Sequence, residues 1–147
     1  MTETEQRSAV IAEAVTWLRT PFRDRASCKG AGVDCCFLIK AAYEASGVAP
    51  NLAISFYSPQ IMLHTDRETY IEGIIANGGH EVTEADVKPA DIVLYKVGRI
   101  FGHGAIVVDW PHKIIHATRL LNGVGYSDTT RDRWLSLRPH RFFSFWG

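Results

Sequence analysis

Cysteine is scarce in this chain of 147 residues: there are three, an odd number, and two of them are adjacent. Such a set does not make the disulfide framework of a small secreted domain. Cys28, Cys35 and Cys36 also lack the Cys-x-x-Cys spacing that structural zinc favours, so neither a metal nor another cofactor is expected. Reduced thiols in a protein made in the cytoplasm fit best. Net charge is missing too, because sixteen basic residues balance sixteen acidic ones. That removes the electrostatic reason to expect nucleic acid or an anionic membrane as partner. No apolar run approaches a membrane span, and Met1 to Arg7 is polar and acidic, so no signal peptide is visible. Internal repeats, low-complexity tracts and linkers are absent as well. The length suits one core, and residues 1–147 are expected to form a single domain.

What is present divides into two halves. In the first, apolar residues recur at helical spacing. Residues 4–19 read as a helix capped by Thr4, with Val10, Ile11, Ala14, Val15, Trp17 and Leu18 on one face and Thr20-Pro21 as its stop. A loop over 20–33 carries Pro21, Gly30 and Gly32. A second helix runs from Cys35 to about Ser46, with Asp34 as N-cap and Gly47 ending the pattern. A third is expected from Ser58-Pro59 to Asn77, closed by Gly78-Gly79.

In the second half the pattern shortens to β-rich runs: 92–95, 105–108, 113–117, 123–127 and 141–145, with a short helix between Thr130 and Leu137. Helices followed by antiparallel strands define an α+β class, with the N-terminal helices packed on a sheet of about five strands.

Chemistry concentrates at Gly32-Val33-Asp34-Cys35-Cys36-Phe37-Leu38-Ile39. A thiol in the first turn of a helix lies near unpaired backbone N–H groups and the positive end of the helix dipole, which favours thiolate. Buried thiols are more often plain core residues, so the reading needs a base nearby. Six histidines are available: His64, His80, His103, His112, His116 and His140. His103 stands at the start of an apolar strand between two glycines, and His116 stands in the next strand. In a hairpin, opposed residues have a nearly constant sum of numbers, here about 219 to 221. An odd sum places the two histidines on one face, and an even sum separates them. Spacing leaves both registers open. The other four histidines read as solvent-facing or as turn and strand-edge residues.

Five segments in order resemble the NlpC/P60 family of papain-like cysteine peptidases. Trp17-Leu18-Arg19-Thr20-Pro21-Phe22 resembles that family's Trp-x-Gly-Thr-Pro-Tyr segment. Gly32 to Ile39 resembles its Gly-x-Asp-Cys-Ser-Gly-Leu-Val nucleophile motif. Lys88-Pro89-Ala90-Asp91-Ile92-Val93-Leu94-Tyr95 is similar to its Pro-Gly-Asp-Leu-Val-Phe-Phe strand. Gly102-His103-Gly104-Ala105-Ile106 and Ile115-His116-Ala117 resemble its two histidine-bearing strands. The resemblance implies a papain-like fold and a Cys-His-His triad that hydrolyses amide bonds in peptidoglycan stem peptides, often at γ-D-glutamyl linkages. In that triad Cys35 is the nucleophile, His103 the general base and acid, and His116 the residue that orients His103. It also implies a substrate-binding surface near Asp34, Cys36 and Phe22. The Lys29-Gly30-Ala31-Gly32 approach looks like the small phage-associated branch, which implies tail proteins as partners and action at the cell wall as part of a phage particle.

Three departures bear on specificity. Cys36-Phe37 stand where the family usually has Ser-Gly, Phe22 replaces a tyrosine, and Ala90 replaces a turn glycine. Two other readings stay open. One is a thiol enzyme transferring acyl or amide groups on another substrate, and the other is a tail assembly module that kept the fold without turnover.

Overall fold

A computed structural model describes residues 1–52 and 65–147. Helix α1 spans Glu3–Val15 and is capped by Thr2, not Thr4: the Thr2 hydroxyl accepts from Glu5 N–H while the Glu5 carboxylate accepts from Thr2 N–H. This reciprocal box satisfies two end donors at once, which decides the start. The helix also stops short of Leu18, because Thr16 to Leu18 form tight turns and Arg19 adopts a positive φ of 72°.

A small ribbon follows, β1 (Ser27–Cys28) against β2 (Gly32–Val33). Helix α2 spans Cys35–Ala45, with Asp34 as N-cap and Gly47 at φ 79° just past Ser46. Both ends fall where the sequence places them. Helix α3 spans Thr69–Ala76 and ends at Asn77 as expected. The expected start at Ser58-Pro59, with Ile61, Leu63 and His64, lies outside the described residues. Residues 65–68 are not helical, and the Glu68 carboxylate instead accepts from Phe101 N–H.

Among the described residues the sheet has six antiparallel strands, the five read from the sequence and β3 at its edge: β3 (His80–Val82), β4 (Ile92–Val97), β5 (Ile100–Asp109), β6 (Lys113–Thr118), β7 (Gly123–Ser127) and β8 (His140–Ser144). Their spatial order is β3-β8-β4-β5-β6-β7. Strand β5 begins five residues before Ala105, so His103 lies inside it rather than at its start. A 3-10 turn at Glu84–Asp86 precedes β4, and the short helix α4 (Arg133–Ser136) connects β7 to β8.

Alternation along the strands splits the buried side chains between two layers. Ile92, Leu94, Ile106, Ile115 and Phe143 pack with Val10, Leu38, Ile39, Tyr43 and Ile74 of the helices. Val93, Tyr95, Ala105, Val107, Ile114 and Phe142 gather on the other face with Leu135 of α4. An ion pair ties α1 to the head of β4: Arg7 reaches the Asp91 carboxylate and the Pro89 carbonyl at 2.9 and 2.7 Å.

Candidate active site

The site is assembled by three elements, and the loop over residues 20–33 sets the first. Its backbone is held at Val33, whose N–H donates to Pro21 and whose carbonyl accepts from Arg23 N–H. Gly32 fits because a Cβ there would strike the Arg23 side chain. Asp34 then joins loop to helix, with one carboxylate oxygen accepting from Arg25 N–H at 2.8 Å and the other from Phe37 N–H at 2.9 Å. It is 1% exposed, so burial raises its pKa. Asp34, expected near the substrate, spends both carboxylate oxygens on backbone amides as the cap of α2. Cys36 is buried in the helix-side core. Phe22 is half-buried, bridges to Val33, and carries the Arg119 guanidinium 5.0 Å over its ring.

Cys35 opens α2 and meets β5. Its thiol donates to the Gly102 carbonyl, with Sγ and O 3.9 Å apart, one residue before His103. The close approach of helix and strand depends on Gly104, where a Cβ would strike the Tyr70 hydroxyl and come within 2.8 Å of Ile39 Cδ1. Tyr70 of α3 in turn donates to the Cys35 carbonyl at 3.5 Å.

The sequence expectation of a thiolate-prone sulfur is reversed. Burial pushes the Cys35 thiol up to about 12, and the neighbouring Asp34 adds to the rise. The dipole of a single helix end does not offset the loss of water around the charged form.

The two histidines come together. Ile106 opposes Ile115 and Val107 opposes Ile114, an odd register that makes His103 and His116 diagonal neighbours. His103 Nε2 and His116 Nδ1 are 2.8 Å apart. Both rings are buried, which lowers His103 well below the usual imidazole range and His116 to about 4. Asp132 works against the fall at His116, whereas His116 and Arg138 deepen it at His103.

Alternation sends the His103 ring to the second face, beside Tyr95, which it opposes across β4 and β5. Trp134 of α4 covers it edge-on at 5.4 Å between centroids, with Arg138 stacked 4.0 Å over the indole. Cys35 instead touches the strand at the Gly102 carbonyl, and no hydrogen bond joins it to His103 among the described residues. His103 Nδ1 is the ring nitrogen not used by His116.

Sequence reasoning missed three residues here. Trp134, Tyr70 and Ser127 come from α4, α3 and β7, and no spacing rule links those segments to Cys35. The other histidines among the described residues lie elsewhere: His80 is exposed on β3, His112 faces Asp128 at 3.3 Å, and His140 packs on Trp110. Among the described residues, no group of three His, Cys, Asp or Glu side chains is arranged to hold a metal ion.

No family model and no curated protein sequence matches the chain. Solved structures do. NlpC1 from Trichomonas vaginalis superposes with a TM-score of 0.67 at 17% identity, covering 97% of this chain and 45% of that one. The NlpC/p60 domain of the peptidoglycan hydrolase SagA gives 0.64 at 17% identity, over 92% of this chain and 96% of that one. The P60 domain of an antigen from M. avium subspecies paratuberculosis gives 0.62 at 14%, over 97% and 96%. The chain spans about half the length of the Trichomonas proteins and nearly all of the two isolated domains. The fold is that of NlpC/P60 domains.

Proposed function

We propose that the chain is a cysteine peptidase or amidase acting on amide bonds in peptidoglycan stem peptides. Its closest support is the pairing of His103 with His116 at 2.8 Å on the strand whose preceding carbonyl holds the Cys35 thiol. The NlpC/P60 fold and the peptidoglycan hydrolase among its structural neighbours support peptidoglycan as the substrate class.

The resting groups are a neutral thiol and neutral imidazoles, so the attack is base-assisted rather than made by a preformed thiolate. As Sγ adds to the substrate carbonyl, the Cys35 thiol proton passes to His103 Nδ1. His116 holds the His103 ring through Nε2. The Cys35 N–H, in the first turn of α2, donates to the oxyanion. His103 then returns the proton to the leaving amine, and water releases the acyl group from sulfur.

One observation favours a second reading, a module of the same fold without turnover: the Cys35 thiol is bonded to a backbone carbonyl and protonated by burial. Mass spectrometry of stem peptides and intact peptidoglycan, incubated with the protein and with Cys35→Ala, separates the two. A defined fragment formed only when Cys35 is present is the expected result, and its mass names the bond. Unchanged peptides in both samples favour the inert module.

A further inference from the structure

The hydrogen-bonded chain does not stop at the second histidine. His116 Nε2 lies 2.8 Å from Ser127 Oγ, as close as His116 Nδ1 lies to His103. Strand register explains the line: Ile114 opposes Ser127 and His116 opposes Gly125, so His116 and Ser127 are diagonal neighbours as His103 and His116 are. One face of three adjacent strands thus carries imidazole, imidazole and hydroxyl in series.

Each neutral imidazole has one N–H to give, so the series has two polarities. In the first, His103 Nε2–H donates to His116 Nδ1, and His116 Nε2–H donates to Ser127 Oγ. His103 Nδ1 is then a bare lone pair that can receive a proton. In the second, Ser127 O–H donates to His116 Nε2 and His116 Nδ1–H donates to His103 Nε2. His103 then carries its proton on Nδ1 and cannot act as a base there.

We propose that Ser127 is a positioning residue that holds His116 by accepting from its Nε2–H, so that the pair rests in the polarity that leaves His103 Nδ1 free. The inference deepens the peptidase reading and rests on it. Ser127 touches no reacting atom; it works through His116. A hydroxyl terminus also differs from a carboxylate terminus, because it orients the rings without adding negative charge behind them. The charged groups that face the pair are Asp132, just before α4, and Arg138, just after it, and they act in opposite directions.

Ser127→Thr and Ser127→Val have nearly the same shape and differ in the hydroxyl, so they separate the bond from the packing. With a stem peptide as substrate, Thr should keep near wild-type kcat/KM, while Val should lose about ten-fold, mostly in kcat. ¹⁵N NMR of the histidine side chains should show His116 protonated on Nε2 in wild type and Ser127→Thr, and a changed tautomer mixture in Ser127→Val. Ser127→Asp should move the acid limb of the pH–rate profile to higher pH, a shift that a packing role does not produce. Equal rates and identical ¹⁵N signals in the Thr and Val variants overturn the proposal while leaving the peptidase reading intact. If wild type cleaves no peptide, that reading falls, and the ¹⁵N comparison alone decides whether Ser127 sets the tautomer.

Discussion

Asp34 shows how one side chain can carry the geometry of a site without touching a substrate. It satisfies two part-buried amides, one in the loop and one in α2, and so fixes where Cys35 begins the helix. Losing a cap costs about 1 kcal/mol, and losing the second hydrogen bond, from the part-buried Arg25 N–H, adds a comparable amount. Asp34→Ala should therefore lower stability by about 2 kcal/mol in urea titration, whereas Asp34→Asn, which keeps one acceptor, should recover about half. The sequence makes the cap legible because Asp precedes a helical pattern. The second bond to Arg25 is not legible, since it depends on the path of a loop. The rise of the Cys35 thiol is equally hidden, because it comes mainly from burial beneath elements distant in sequence, with the adjacent Asp34 adding to it.

Among the elements, those with strong punctuation were readable. Helix α2 has an Asp before it and a Gly after it, and its range is as expected. Strand β3 has only three residues, two of them exposed, and gives no alternation to read. The face shared by His103 and His116 rested on register parity, which the bulged β5–β6 pairing settles and spacing does not. The contact of α2 with β5 leaves no room for a side chain at Gly104, and it makes its own prediction. Gly104→Ala places a methyl against the Tyr70 hydroxyl and Ile39. Overpacking of this kind typically costs 1–3 kcal/mol, so a loss of about 2 kcal/mol should appear in thermal or urea unfolding. Cleavage should fall further than stability explains, because the methyl pushes the Cys35 end of α2 away from the strand.

For the whole molecule, the buried histidines couple folding to pH. An unfolded chain protonates His116 near pH 6.5, while the folded one resists until about 4. Above 6.5 both states are neutral and the residue contributes nothing to the pH dependence. As pH falls from 6.5 toward 4, the unfolded state binds the proton first, so stability is lost across that window and levels off below it. The shift corresponds to about 3 kcal/mol. Melting temperature should drop between pH 7 and 4, and His116→Gln should flatten the drop; an equal drop in that variant would place the titration elsewhere. The α+β class and the order of helices and strands follow from hydrophobic period. The substrate lies further from the sequence, and so does the phage-tail setting, whose Lys29–Gly32 approach forms part of the β1–β2 ribbon.

The protonated, buried state of Cys35 has a consequence for survival under oxidants. Peroxide attacks thiolates that it can reach. Cys35 is only 8% exposed and holds its proton, whereas Cys28 stands exposed on the ribbon. Oxidant should therefore modify Cys28 first and leave the nucleophile candidate reduced. Under the proposed peptidase reading, the nucleophilic sulfur stays in an inert form until a substrate arrives.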